Sequence, residues 1–74
     1  MTAAAPSGRW EQVKTAYPLW EAPVPNGTAR VWWNEGASPG WGWQVISARR
    51  EVIAGGIYAT RAIAERAALA AGGV

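Results

Sequence analysis

Large apolar side chains recur at every second position in three stretches of the chain, separated by turn residues. In "TARVWW" (28–33) Val31 and Trp33 alternate with Arg30 and Trp32. In "WGWQVISA" (41–48) Trp41, Trp43 and Val45 alternate with Gly42 and Gln44, and "EVIAGGIY" (51–58) supplies a third run. A period of two with β-branched and aromatic residues predicts strands. Asn26-Gly27 before the first run and "NEGASPG" before the second are turn chemistry. The period then lengthens. Thr60 is a good N-cap, "RAIAERAALAA" consists of strong helix formers, and Gly72-Gly73 ends the run, so a C-terminal helix is expected. Arg61 and Glu65, four apart, fit its solvent face, and Ile63, Ala64, Ala67, Ala68 and Ala71 form a stripe of mostly small residues that can approach a sheet closely.

The N-terminal part admits two readings. Trp10, Val13, Tyr17 and Trp20 are spaced by three, four and three, as on one face of a short helix that Pro18 would cut off. Pro18, Pro23 and Pro25 equally favour an extended edge segment. Residues 1–8, small and polar, have the composition of a flexible end. The expected fold class is therefore α+β: a three-stranded antiparallel sheet with one C-terminal helix packed on one face, plus an N-terminal apolar segment that is either short helix or edge strand. Residues 9–74 form a single small domain.

Alternation sorts the strand residues onto two faces. One set is Ala29, Val31, Trp33, Trp41, Trp43, Val45, Val52, Ala54, Gly56 and Tyr58. The other is Arg30, Trp32, Gln44, Ile46, Ile53 and Ile57. With Arg49-Arg50 as the tip of the second hairpin, Trp43 stands opposite Gly56 and Trp41 opposite Tyr58. The first set holds more bulk and an indole packs well over a strand glycine, so it is placed beneath the helix, with Trp33 and Trp43 in the core and Trp41 at its edge. The second face then carries Trp32, Ile46, Ile53 and Ile57 where a sheet open to water should be polar. An exposed apolar area of roughly several hundred Å² marks an interaction site. Its cover is either the N-terminal segment (Trp10, Val13, Tyr17 and Trp20) or a partner, including a second copy of the chain.

Composition narrows the chemistry. The 74 residues include six Trp and two Tyr but no Phe, Cys or His, and their formal net charge is +2. Asp is also absent. A chain this short has a thin core, in which each aromatic ring matters. Without Cys, His or Asp the usual nucleophile–base pairs and metal sites cannot be assembled. "NEGASPGWG" lacks the strand–loop–helix setting of a phosphate cradle. The sequence therefore predicts no catalytic residue, cofactor, metal or small-molecule substrate. No run reaches the roughly 20 apolar residues of a membrane span, and the N-terminus lacks a signal-like pattern, so a cytoplasmic protein without membrane contact is expected.

From Ala29 onward, "ARVWWNEG…GWGWQVISARREVIAGGIYATRAIAERAALA" resembles the YegP-like family, a small domain of a strand, a hairpin and a helix. The resemblance rests on Trp43-Gln44-Val45, on Val52-Ile53-Ala54 followed by small residues, and on Thr60-Arg61 with Ala64-Glu65, and it spans about residues 29–71. That family typically has Asn-Gly at the hairpin tip, where this chain has Arg49-Arg50, so either a longer turn or an altered register is expected, with the tip as a cationic finger. The stretch between Ala54 and Thr60 is about one residue shorter than in the family. "GIYATRAIAERA", through Gly56, Tyr58, Thr60, Ala64 and Ala67, is also similar to the AP2-type DNA-binding domain. That domain reads DNA with arginines and tryptophans on an open sheet face. Arg30, Trp32 and Trp41 are the comparable groups here, and the arginine-dense first strand of that family is missing.

These readings converge on a non-catalytic protein-interaction module, an inhibitor or accessory protein of the kind mobile elements use against host defences. It would bind another protein, or a second copy of itself, through Trp32, Ile46, Ile53 and Ile57 with Arg30, Arg49 and Arg50 at the margin. The alternative is a nucleic-acid binder in which Arg30, Arg49 and Arg50 meet phosphates and Trp32 stacks on a base.

Overall fold

Among the described residues, five antiparallel strands in sequential order form one sheet, and one helix packs on one side of it. The computed structural model describes residues 9–13, 18–36 and 39–74. The strands are β1 (Glu11–Val13), β2 (Leu19–Val24), β3 (Gly27–Asn34), β4 (Gly40–Ile46) and β5 (Val52–Tyr58), and the helix is α1 (Arg61–Gly72). The α+β class and the C-terminal helix agree with the sequence pattern. The strand number does not: there are five strands, where three were expected.

The two additional strands come from the N-terminal segment, whose described residues take the extended reading. Gln12 pairs with Trp20, and Trp20 with Val31, so the segment widens the sheet beside β3. The helix-like spacing arises because Trp10 and Trp20 lie on the two arms of a hairpin and reach the same side. Tyr17 and residues 1–8 lie outside the described residues. Pro23 lies beyond Leu19–Glu21, the stretch of β2 that pairs with β1.

The helix side of the sheet carries the core. Val24, Ala29, Val31 and Val45 pack against Ala64 and Ala68, and Trp10, Trp41, Trp43, Ala54, Leu69 and Ala71 surround them. Val31 and Val45, the largest fully buried side chains, each contribute about 1.5–3 kcal/mol by leaving water. Small residues bring the helix down onto the sheet, and the indoles form the wall of the core. Trp43 faces Gly56 and Trp41 faces Tyr58, in the expected register. A Cβ on Gly56 would come within 2.9 Å of Trp43 Nε1, so the missing side chain is the seat of the indole. That Nε1 is buried and has no hydrogen-bond partner among the described residues.

Five side chains depart from their expected places. Trp33 lies on the helix side, in the row Trp33–Trp41–Tyr58, but this row is at the end of the sheet and Trp33 is 38% exposed. Ile63, placed in the apolar stripe, is exposed, because Ala64, Ala68 and Gly72 form the line that meets the sheet. Arg61 and Glu65 form the expected ion pair at 3.2 Å, but both are half-buried, since Arg61 lies over Trp20 instead of facing water. Val52 leaves the helix-side set. A bulge shifts the register between Val45 and Ile46, so Val52 stands opposite Ile46 and is exposed.

Both ends of α1 are closed by hydrogen bonds. Thr60 Oγ1 accepts from the Ile63 N–H at 3.3 Å. At the other end Gly73 is left-handed (φ 93°), and the N–H groups of Gly73 and Val74 donate to the carbonyls of Ala70 and Leu69. The two remaining carbonyls are met from the β2–β3 turn: the Asn26 N–H donates to Gly72 O at 2.9 Å and Asn26 Nδ2 to Ala71 O at 3.3 Å. All four terminal carbonyls therefore have donors.

Candidate interaction face

The side of the sheet away from the helix is built from cross-strand rows. Val13, Leu19, Trp32, Gly42 and Ile57 form one row, one residue from each strand. Trp32 lies across Gly42, where a Cβ would come within 2.6 Å of its ring. Leu19 beside it is only 5% exposed. The next row is polar: Glu11, Glu21, Arg30, Gln44 and Gly55. In it Arg30 Nε donates to Glu21 Oε2, so the guanidinium already has a carboxylate partner. Thr28, Ile46 and Val52 lie in the third row, toward the hairpin tips.

The face therefore changes character across its width. Toward β2 and β3 it is half-buried and ion-paired. Toward β5, Val52, Ile53 and Ile57 are 57%, 48% and 53% exposed. The expected cover from the N-terminal segment is not formed by its described residues. Of the four apolar residues expected to form it, Trp10 packs against the core on the other side, Trp20 meets Arg61 there, and Val13 joins the open face beside Leu19, at the edge farthest from β5.

At the tip of the second hairpin Arg49 and Arg50 are both exposed. The Arg50 N–H donates to Ser47 O at 2.9 Å and the Ser47 N–H to Glu51 O at 2.8 Å, while Arg50 takes a left-handed conformation (φ 65°). Of the two outcomes that Arg49-Arg50 left open, the longer turn is the one formed: a four-residue turn, Ser47–Arg50, whose last residue is left-handed. Ser47 Oγ accepts from the N–H groups of Arg49 and Glu51, stiffening the loop. Beneath it a shallow groove of about 440 Å³ is lined by Glu21, Thr28, Arg30, Ile46, Ser47, Ala48 and Arg50. The structure thus brings Ile46, Arg30 and Arg50 around one groove, places Ile53 and Ile57 together on β5, and sets Trp32 across Gly42 in the row of Ile57.

One cluster escaped sequence reasoning. Arg61 stacks 3.9 Å from the Trp20 ring centroid and 5.9 Å from that of Trp41, and Trp41 in turn meets Trp20 and Trp33 with centroids 5.9 and 5.5 Å apart. The available signal was the alternation of Trp20, Ala22 and Val24, which places Trp20 on the helix side once residues 19–24 are read as a strand. The cation over two indoles ties the first turn of α1 to β2 and β4.

Among the described residues no three His, Cys, Asp or Glu side chains gather as a metal-binding group, and no helix is long and apolar enough to cross a membrane. Compared with protein-family models, curated proteins and solved structures, the chain matches none.

Proposed function

We propose that this domain is a non-catalytic protein-interaction module, an inhibitor or accessory protein, that binds another protein through the open face. Val52, Ile53, Ile57 and Ile46 supply apolar contact, Trp32 forms the inner wall, and Arg49 and Arg50 supply a basic margin. The observation that carries this reading is the exposure of Ile53 and Ile57 on an uncharged strand, in a chain with few large apolar groups to spare from its core. The pairing of Arg30 with Glu21 weighs against a phosphate-binding face, because a neutralised guanidinium would have to leave its carboxylate to meet a backbone phosphate.

The test is capture of a partner from the source cell by the wild-type chain, by Ile46→Lys, and by Arg49→Ala with Arg50→Ala, at low and high salt. An apolar interface loses its partner on Ile46→Lys and responds weakly to salt. If both variants retain the partner, the face is not the site. If a labelled oligonucleotide binds instead, with affinity falling steeply as salt rises, the domain is a nucleic-acid binder.

A further inference from the structure

The free edge of β5 differs from an ordinary sheet edge in length, charge and symmetry. It runs seven residues, about 23 Å at 3.3 Å per residue, against three residues at the β1 edge. Its sequence, Val52-Ile53-Ala54-Gly55-Gly56-Ile57-Tyr58, contains no charge and no proline. Edge strands that must stay unpaired carry Lys, Pro or extreme shortness, and β5 has none of these. Its one irregularity, the bulge beside Val52, lies at the tip end and leaves Ala54–Tyr58 in regular pairing with β4.

We propose that β5 pairs antiparallel with β5 of a second copy of this chain, about a two-fold axis through Gly55, to form a ten-stranded sheet. It rests on the same exposed isoleucines as the reading above, with a second copy as the partner at the edge. The occupant is argued from self-complementarity. Centred on Gly55, the pairing sets Ala54 against Gly56 and Ile53 against Ile57, with the bulge carrying Val52 out of the match, and each pair is repeated by symmetry as a two-fold interface requires. Three small residues at the centre let the backbones meet without crowding, and the two Ile–Ile pairs flank them on the open face. Arg50 and Glu51 fall beyond Tyr58 of the other strand, opposite Thr60 and Ala59, so no like charges are opposed.

The flanking surface is uncharged as well. Arg61 over Trp20 turns one flank of α1 toward β2, and helical geometry puts Ala67 on the other flank, toward β5, with Ile63 above it. The two helices of the pair would lie on the same side of the joined sheet, with these residues between them. A stable complex buries about 800 Å² per partner, about a sixth of the 5070 Å² this chain exposes, so the strand needs the helix flank and the open-face isoleucines to reach it. Because pairing proceeds in the plane of the sheet, the two open faces merge into one, with four isoleucines at its middle.

Sedimentation equilibrium of the full chain, from about 1 µM to 1 mM, reads the association directly. The expected result is a dimer that Ile53→Lys with Ile57→Lys weakens by about 100-fold or more, since lysines then oppose lysines. Ile53→Glu with Ile57→Glu should do the same, and mixing the two variants should restore a heterodimer, which a misfolded variant could not form. Amide exchange at Ala54–Gly56 of the wild type should slow as concentration rises. A chain that stays monomeric over the whole range overturns the pairing and leaves the open-face reading to its own test. A dimer untouched by the lysine pair, or folded variants that fail to associate on mixing, overturns it too by placing the contact elsewhere.

Discussion

Two turns lie side by side at one end of the sheet and are built to opposite purposes. Pro25-Asn26, between β2 and β3, is held down: Asn26 donates twice to the end of α1, and Gly27 follows at φ 143° with its missing Cβ in the space of the Ile46 carbonyl. The Ser47–Glu51 turn, between β4 and β5, is held only by its own backbone and Ser47, and it projects two arginines into water. The left-handed residue is glycine in the first turn and arginine in the second. Where the turn carries the fold, the residue suits the backbone. Where it carries charge to the surface, the chain accepts an unfavourable conformation at Arg50.

The sharpest way to break this contrast is Gly27→Ala. The new Cβ would overlap the Ile46 carbonyl oxygen in a conformation that L-residues rarely adopt, and urea unfolding should show a loss of about 3 kcal/mol or more. Asn26→Ala should cost about 1 kcal/mol, because the side-chain bond to Ala71 O is lost while the main-chain bond to Gly72 O remains. A stability change below the error of the melt would mean that water serves that carbonyl equally well. In the other turn the sign reverses: Arg50→Gly should stabilise by about 0.5–1 kcal/mol, since glycine takes the left-handed conformation without the Cβ penalty, less its larger entropy loss on folding. Arg49→Ala should change stability least, by about 0.5 kcal/mol at most, while partner binding weakens. Unaltered binding would leave the tip as a turn and nothing more.

The second hairpin was largely legible from sequence, because its information is local. The alternation around Trp41 and Trp43, and the glycine opposite Trp43, set the register, and Thr60 and Gly73 marked the helix ends. The misreadings came where position depends on distant partners. Trp10 to Trp20 left helix and extended segment undecided, because a hairpin's length gives them helical spacing by accident. Val52 changed sides because a bulge adds a residue that no periodicity announces. Trp33 alternates correctly, yet lies in a row at the end of the sheet where cover is incomplete. On the open face, alternation alone found Trp32, Ile46, Ile53 and Ile57. It could not show that Glu21 would neutralise Arg30, because Glu21 lies on a strand the pattern had left undecided.

The bonds from Asn26 to the end of α1 also bear on how the molecule opens. They join groups 45 residues apart in sequence, so the last helical turn cannot unwind as a free end does; its carbonyls are released only when the first full hairpin lets go. Local fraying thereby becomes part of a larger opening event. Hydrogen exchange at the helix C-terminus should then follow the amides of β2 and β3 instead of the fast exchange usual for a chain end, and Asn26→Ala, which keeps the main-chain bond to Gly72 O, should weaken the coupling without abolishing it. A closure across so much of the chain also raises contact order, so the docked helix end is expected to form late in folding, after the β3–β4 and β4–β5 pairings that depend on nearer neighbours.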